Sequence, residues 1–309
     1  MNATYCPRLW NEVYITSDGN VYACCHRKPQ IIGNFRENEL KVIYNNEAAR
    51  YLRNESLNGR LACFEDCSLL KKEIPEKIND NLIVNYGDLV KLKIEFSTAC
   101  NIKCIMCKPG GKPRKDEISF EQVINSIDIT PFKRIEAEGG EPLFIESARR
   151  FFDYAASKGK KVSFMTNALL INDEWAEKIS RYSEFIHISL NAATKTTHES
   201  INRGSRWETV LGNIQKLRRA RERFKTDIVI IGHMTIVVRN LKEIPLFIRD
   251  FKELGLDQIK FGFERSMPRY LKAIPFRKMI HRAAISKAFN RSKFQPSINT
   301  HHLKVLGLI

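Results

Sequence analysis

The sequence predicts an α/β fold, in which a partial (β/α)6 barrel follows a small cysteine-rich α+β domain. Six strand patterns alternate with five helix patterns between residues 90 and 264, an order typical of parallel strands joined by crossover helices. All eight cysteines lie in the first 107 of 309 residues. The formal charge is +16, and residues 265–309 hold ten Lys or Arg but no Asp or Glu. These observations predict a cysteine-rich part, a barrel and a basic end.

Length and composition limit the class of protein. A chain of 309 residues can form one large domain and a smaller one. The first residues lack the basic and apolar regions of a signal peptide, and no apolar run approaches the ~18 residues that a membrane span needs. We therefore expect a cytoplasmic protein without a transmembrane segment, whose thiolates stay reduced and able to bind metal.

The amino-terminal elements are short. Residues 13–23 alternate apolar and polar around an Asp-Gly pair, which predicts a β-hairpin. Residues 38–58 have a helical pattern, and the polar stretch 71–89 is predicted as a linker. The linker would separate an amino-terminal domain over residues 1–70 from a barrel over residues 90–264.

The barrel elements follow from repeated changes between strand and helix periodicity. Strands are predicted at 92–96, 134–138, 161–166, 185–190, 228–238 and 258–263. Helices are predicted at 120–127, 145–157, 173–180 with Asn172 as its cap, 207–224 and 241–254. Six strands are fewer than a closed TIM-type barrel requires, so we expect an open, partial barrel. Sites in such sheets form at the carboxyl ends of the strands.

Three cysteines, Cys100, Cys104 and Cys107, follow the first barrel strand with x3 and x2 spacing. Three thiolates can hold three irons of a cubane cluster and leave the fourth iron without a protein ligand. An open iron can bind a small molecule, as an open zinc position binds water. The alternative is a structural zinc site, which needs a fourth ligand. The candidate histidines for that ligand are His187, His198 and His233.

The motif and the residues after the next strands resemble the radical S-adenosylmethionine (SAM) superfamily over residues 90–264. Residues 138–142, Glu-Gly-Gly-Glu-Pro, end the second strand, where that family has a Gly-Gly-Glu motif for the methionine amino group. The resemblance assigns to SAM the residues Met106, Gly139, Gly140, Glu141, Thr166, Asn167, Ser189, Asn191 and Arg203. Their chemistry agrees, because glycine permits close backbone approach and Arg suits a carboxylate. Met106 replaces an aromatic residue usual in the family.

The other five cysteines form an amino-terminal set. Cys6 and Cys24 flank the predicted hairpin, and Cys63 and Cys67 follow the helical segment, so four thiolates can close a second cluster completely. The pattern resembles the SPASM and twitch auxiliary-cluster domains, which normally follow the barrel but here precede it. A four-cysteine zinc staple is the alternative. Cys25 is the spare thiol, which can exchange with Cys24 as ligand or act as a proton or hydrogen-atom donor.

The resemblance implies an enzyme with a SAM-binding 4Fe–4S cluster and an auxiliary 4Fe–4S cluster. It implies reductive cleavage of SAM to a 5′-deoxyadenosyl radical, which takes hydrogen from a substrate. The electron would come from a partner such as flavodoxin or ferredoxin. The expected substrate is a small anionic molecule, such as a nucleotide or sugar derivative, or a peptide. The alternative is a zinc-stapled protein that binds nucleic acid or a membrane surface without radical chemistry.

The basic residues 265–309 are predicted as a carboxyl-terminal extension, with an amphipathic helix at 273–289. The apolar residues near one face of this helix are Phe276, Met279, Ile280, Ala283 and Ala284. Such a helix can lie on a membrane surface, contact nucleic acid or cover the open side of the partial barrel. A basic segment also suits an anionic substrate, and a solvated face without a partner is the plain alternative.

Overall fold

The chain forms two compact units. The computed structural model describes residues 5–24, 30–62, 67, 69–75, 78, 82–108, 112–113 and 117–309. Unit 1 comprises residues 1–99 and 113–162, and unit 2 comprises residues 100–112 and 163–309. These limits differ from the four predicted regions 1–70, 71–89, 90–264 and 265–309, whose functional division stays a prediction.

The described elements alternate largely as the sequence predicts. The helices are α1 (Arg8–Asn11), α2 (Leu40–Ile43), α3 (Glu47–Leu57), α4 (Phe120–Ser126), α5 (Glu146–Ser157), α6 (Asp173–Tyr182), α7 (Lys195–Ile201), α8 (Trp207–Phe224), α9 (Ile244–Asp250), α10 (Met267–Ala273), α11 (Pro275–Arg291) and α12 (His301–Val305). The strands are β1 (Glu12–Ile15), β2 (Asn20–Tyr22), β3 (Gly33–Asn34), β4 (Lys91–Glu95), β5 (Lys103–Cys104), β6 (Arg134–Glu138), β7 (Val162–Thr166), β8 (Phe185–Ser189), β9 (Asn202–Arg203), β10 (Val229–Ile236), β11 (Gln258–Phe263) and β12 (Ile298–Asn299).

The strands of unit 1 lie in the order β6-β4-β1-β2-β3. The hairpin predicted at 13–23 is confirmed, because β1 and β2 are antiparallel and Gly19 adopts a φ of 84° in the turn. β4 is parallel both to β6 and to β1, with Val13 opposite Leu92. The hairpin therefore extends the sheet past β4 and covers the edge that β4 would otherwise expose.

A buried arginine connects the amino-terminal elements. Arg53 on α3 is 1% exposed, and its guanidinium donates to the backbone oxygens of Leu9, Leu82 and Tyr44 at 2.8, 2.7 and 2.6 Å. These acceptors offset the cost of burying a charge. The guanidinium also lies over the Tyr44 ring, 4.6 Å from its centroid. α3 and the segment before β4 are therefore held together.

Two amino-terminal segments have more structure than the sequence pattern predicts. The helix predicted over 38–58 is two helices, because Asn46 has extended backbone and its side chain accepts the N–H of Ala49 to begin α3. The predicted linker at 71–89 makes contacts where it is described. Lys71 forms a β-bridge with Tyr5, and apolar side chains later in the segment, such as Leu89, are buried.

In unit 2, the strands β12-β11-β10-β8-β7 lie in this order and pair in parallel, whereas β5 and β9 form a separate antiparallel pair. The predicted Asn172 cap is confirmed, because its side chain accepts the Trp175 N–H at 2.8 Å. The helix predicted at 241–254 is shorter, since a 3₁₀ turn precedes α9. The predicted fold class, α/β with the parallel strands and crossover helices of a partial (β/α)6 barrel, is confirmed.

Residues 265–309, predicted as a basic carboxyl-terminal extension, lie in unit 2. α10 and α11 lead from β11 to β12, and β12 pairs in parallel with β11 through Ile298 and Ile259. This strand went unpredicted because a two-residue strand carries no periodicity. In the described part of the chain, no helix is long and apolar enough to cross a membrane.

Candidate functional site

The three-cysteine motif in unit 2 is held by a short antiparallel pair. β5 pairs with β9, and Cys104 lies opposite Asn202. The N–H of Ile105 donates to Ile201 O at 2.9 Å. Cys100 and Cys104 are half-buried and Cys107 is exposed. The middle of the loop is thus fixed by backbone hydrogen bonds, while its three cysteines remain at least partly exposed to solvent.

A buried asparagine lies against the middle cysteine. Asn202 is 1% exposed, and its Oδ1 lies 3.4 Å from Cys104 Sγ. The same oxygen accepts from Asn191 Nδ2 at 2.9 Å. Asn202 Nδ2 donates to Ser189 O and Leu190 O at 3.0 and 3.2 Å. Because these contacts fix the orientation of the amide, its oxygen faces the sulfur.

Asn191 shapes the turn after β8. Its φ of 58° lies in the left-handed region, which asparagine tolerates better than most residues. Its Oδ1 accepts the Thr235 N–H at 2.8 Å, and its backbone oxygen accepts from Asn240 Nδ2 at 2.8 Å. The amide of Asn191 therefore bonds within the protein at both ends, so its assignment to SAM stays a prediction that these contacts do not favour.

Asn167, at the end of β7, lies near the first cysteine. Its Nδ2 donates to Asn101 Oδ1 at 2.7 Å and is 3.9 Å from Cys100 Sγ. Its own oxygen accepts the N–H of Leu169 at 3.0 Å, which sets the orientation of the amide. The hydroxyl oxygen of Thr166 accepts a backbone N–H of the following turn at 2.9 Å. Asn167 thus presents a donor to the Cys100 sulfur.

The Gly-Gly-Glu motif lies in unit 1, directly after β6. The N–H of Gly140 donates to Ser97 O, and the N–H of Glu141 donates to Ala99 O, both at 2.9 Å. A Cβ on Gly140 would lie 1.9 Å from Ala99 O. On Gly139, whose φ is 134°, it would lie 2.2 Å from Ser97 O. Only glycine fits this approach to the residues that lead along the chain to the first cysteine.

The acidic residues around these glycines differ in environment. Glu141 is 1% exposed, and its Oε1 accepts the backbone N–H two residues further on at 3.2 Å. Glu138 pairs with Lys93, which also lies 3.0 Å from Glu136. Burial alone would raise the pKa of Glu136, but Lys93 and Lys91 outweigh it and hold the value at about 2. Glu136 and Glu138 thus form ion pairs with lysine side chains.

A cavity of about 450 Å³ in unit 2 opens beside the cysteine loop. Its lining residues are Ile105, Met106, Val237, Val238, Arg239 and Glu264. Met106, predicted to contact SAM, lies in this wall. Arg203, also predicted to contact SAM, is exposed on β9 and is not one of the lining residues. Hydrogen bonds from Ser266, first from its side chain, lower the pKa of Glu264. The wall therefore combines apolar surface with one cationic and one anionic side chain.

Two of the auxiliary cysteines, Cys6 and Cys24, are buried in unit 1. Arg8 donates to Cys24 Sγ at 3.7 Å and pairs with Glu12 at 3.0 Å. A cation that donates to sulfur stabilises the thiolate form. Arg8 lies in none of the sequence motifs, and its position two residues after Cys6 is the signal that could have shown it.

The third described cysteine of this set is the half-buried Cys67. Tyr5 and Lys71 exchange backbone hydrogen bonds of 2.7 and 2.8 Å. Tyr5 directly precedes Cys6, and Lys71 follows Cys67 by four residues, so the two segments lie side by side at this point. The predicted ligand Cys63 and the spare thiol Cys25 lie outside the described residues. A common site for the four cysteines therefore stays a prediction.

The histidines considered for zinc have other contacts. The ring nitrogens of His198 bond Leu190 O and Ser205 Oγ, both at 2.7 Å. His187 stacks on the phenylalanine ring two residues before it, and desolvation is the main cause that lowers the pKa of His233 to about 3. Within the described ranges, no group of three or more His, Cys, Asp or Glu could hold a single metal ion. The thiolates of a cubane bind different irons and need not meet at one point.

Replacing Asn202 with alanine is expected to lower both stability and iron content. The change leaves the Ser189 and Leu190 oxygens and the Asn191 amide without this partner, at a cost of ~1–3 kcal/mol, and loosens β5 against β9. Thermal unfolding of the metal-free chain and iron per chain after reconstitution measure the two effects.

Asn172→Ala is the matched control for this substitution. It also removes an asparagine, costs ~1 kcal/mol through the lost cap, and lies at the start of α6 rather than at the cysteine loop. Its iron content should stay at the unaltered level. Equal iron loss in both variants, or none in Asn202→Ala, would contradict the positioning role of Asn202.

Comparison with known proteins separates the same two groups of cysteines. The Radical SAM superfamily matches residues 94–244, which contain the three-cysteine motif. The SPASM iron–sulfur cluster-binding domain matches residues 6–68, which contain the other five cysteines. The two matches imply a 4Fe–4S cluster with SAM and an auxiliary iron–sulfur cluster.

Curated relatives match part of the chain. The AdoMet-dependent heme synthase of Methanosarcina barkeri is 28% identical over 171 residues, which is 52% of this chain and 46% of the relative. The GTP 3′,8-cyclase of Clostridium botulinum is 28% identical over 135 residues, 40% and 42% of the two chains. The antilisterial bacteriocin subtilosin biosynthesis protein AlbA of Bacillus subtilis is 30% identical over 112 residues, 34% and 25%. The matched part thus spans less than half the length of each relative.

The donors present fit the implied groups. Three thiols on a loop suit a cluster with one open iron, and buried cysteines beside an arginine suit a closed one. The domain matches cover both sets, and their limits agree with the predicted order of the two regions. The chain therefore contains a domain of the radical S-adenosylmethionine superfamily at residues 94–244, preceded by a SPASM iron–sulfur cluster-binding domain at residues 6–68.

Proposed function

We propose that this protein cleaves SAM reductively at a cluster held by Cys100, Cys104 and Cys107, and oxidises or rearranges a substrate by hydrogen abstraction. The observation that carries the proposal is the fixed three-cysteine loop, with Asn167 and Asn202 at two of its sulfurs. When bound, cluster and SAM supply the electron transfer and the 5′-deoxyadenosyl radical. The chain's own part is to bind, orient and shield these groups.

The residues assigned to SAM differ in the support they have. Arg203 is exposed on β9, next to the residue that lies against Cys104, and a guanidinium suits the methionine carboxylate. Glu141 suits the methionine ammonium, and Gly139 and Gly140 permit close backbone approach. Met106 in the cavity wall offers a polarizable side chain to the adenine.

The proposed substrate is a small anionic molecule or a peptide. Arg239 in the wall of the cavity is the group we assign to an anionic part of the substrate, because a guanidinium can bind a carboxylate or phosphate with two parallel hydrogen bonds. Two of the relatives support this choice by name. A GTP cyclase acts on a small anionic molecule, and another relative takes part in the biosynthesis of a bacteriocin. A cytoplasmic location and a flavodoxin or ferredoxin as reductant complete the proposal.

The proposed auxiliary cluster is held by Cys6, Cys24, Cys63 and Cys67. Arg8 supports this assignment, because its N–H at the Cys24 sulfur favours the thiolate form that binds iron. Hydrogen bonds to the sulfur ligands also help to set the reduction potential of a cluster. Cys25 stays the alternative to Cys24 as ligand. The role proposed for this cluster is electron transfer or substrate positioning.

The test is anaerobic reconstitution with iron and sulfide, followed by dithionite and SAM. We expect 5′-deoxyadenosine and roughly eight iron atoms per chain if both clusters are cubanes. An intact cluster that yields no 5′-deoxyadenosine would contradict the radical reaction. Zinc without iron or acid-labile sulfide would instead support the zinc-stapled binding protein.

A further inference from the structure

Helix α11 presents apolar side chains outward. Phe276, Met279 and Ile280, here called the apolar trio, are 70%, 65% and 55% exposed. Their i, i+3, i+4 spacing places them on one side of the helix. The opposite side carries the fully buried Ile285, and α11 packs against α9. Of the alternatives for this helix, the one in which its apolar face covers the open side of the barrel therefore does not agree with these exposures.

The outward side of α11 is also basic. Lys287 and Arg291 are exposed and follow the apolar trio along the same side at helical spacing, and Arg277 borders it. Residues 265–309 contain no Asp or Glu, so no acid of this segment compensates these charges. The pKa of His281 is lowered, first by burial and then by Arg277, which agrees with a positive local potential.

Charge and shape decide which partner suits this surface. A second copy would bring two basic faces together, and like charges oppose such contact. Nucleic acid would engage the cations through its phosphates but would leave the apolar trio in water. A helical peptide binds in a groove, whereas a single outer helix is convex.

An anionic phospholipid bilayer accommodates both features at once. Apolar side chains of an interfacial helix enter the boundary between headgroups and acyl chains, while Lys and Arg remain at the phosphates. Each basic residue near such a surface contributes ~1 kcal/mol. Both the three exposed cations and the three apolar side chains therefore favour reversible attachment to such a bilayer.

We propose that α11 attaches this protein reversibly to anionic phospholipid bilayers, with the apolar trio inserted and Arg277, Lys287 and Arg291 at the headgroups. The proposal is independent of the radical reaction, since it uses neither cluster. It gives unit 2 a membrane-binding role in addition to the role proposed for its three-cysteine loop.

Vesicle flotation tests the proposal with the full chain, reconstituted anaerobically. We expect the protein to float with vesicles of phosphatidylcholine and phosphatidylglycerol, to stay behind with phosphatidylcholine alone, and to detach in high salt because the attraction is screened. The variant Phe276→Ser/Met279→Ser/Ile280→Ser should lose about tenfold or more in bound fraction, since three side chains no longer insert. Circular dichroism confirms that the variant is folded.

The control removes exposed apolar side chains elsewhere. Val42 and Tyr51, in the amino-terminal part, are 50% and 55% exposed, and the variant Val42→Ser/Tyr51→Ser should float like the unaltered protein. Failure of the unaltered protein to float with anionic vesicles would overturn the proposal, as would undiminished flotation of the trio variant. Trio-dependent binding to duplex DNA or polyglutamate that is tighter than binding to vesicles would also overturn it.

Discussion

Replacing Cys104 with serine should abolish formation of 5′-deoxyadenosine and remove the SAM-binding cluster. Cys104 is the middle cysteine of the motif and the proposed ligand whose backbone is fixed by the β5–β9 pair. A serine hydroxyl is a poor replacement for a thiolate, so the cluster loses one of only three protein ligands. Iron should fall from roughly eight to roughly four atoms per chain. Iron and sulfide analysis, with chromatography of the SAM products, measures both effects.

Cys67→Ser is the matched control for this experiment. It removes one predicted ligand of the auxiliary set, so its iron content should fall by a similar amount. Because the three-cysteine loop is unchanged, reductive cleavage of SAM with dithionite should persist. Cleavage retained in Cys104→Ser, or lost equally in both variants, would contradict the division of the cysteines into a catalytic and an auxiliary group.

Replacing Gly140 with alanine should destabilise the protein and prevent assembly of the SAM site. The new Cβ would lie 1.9 Å from Ala99 O and 2.6 Å from Thr98 O, and backbone atoms cannot rotate away as a side chain can. The segment that leads to Cys100 must therefore move, and overpacking of this kind costs about 3 kcal/mol. Urea unfolding of the metal-free chain measures the free energy, and iron content after reconstitution measures the site.

Gly212→Ala provides the opposite case within the same chain. Gly212 lies inside α8, and nothing stands within 4 Å of its added Cβ. Alanine is the better helix former, so this variant should gain up to ~1 kcal/mol and keep its iron. If Gly140→Ala were as stable as Gly212→Ala and bound iron normally, the close backbone approach at Gly140 would be disproved.

Periodicity predicted the barrel elements well because each strand and helix is a local pattern. The bounds of β6, α8 and β11 agree with the prediction. It missed what depends on pairing between distant segments. The parallel partnership of β1 with β4 and of β12 with β11 leaves no mark on either strand's own alternation, and two-residue strands have no alternation to detect.

The cysteines could be predicted from spacing, because ligation requires particular side chains at particular separations. The contacts of the nearby asparagines with these cysteines could not be predicted in this way. Asn202 lies in no motif, and its contact with Cys104 arises from the β5–β9 pair. The alternatives for the apolar trio stayed open at the sequence level for a related reason. A helical pattern shows which residues share a face, but not whether that face meets protein or solvent.

The pairing of β1 with β4 has a consequence for the order in which the chain can fold. β1 is synthesised long before β4, yet its hydrogen-bonded neighbour on that side is supplied only when Lys91–Glu95 has been made. Contacts between such distant segments form late, because a long loop must close first. We therefore expect the SPASM domain to acquire its final conformation, and its metal, together with the first strand of the barrel rather than as an independently folding leader.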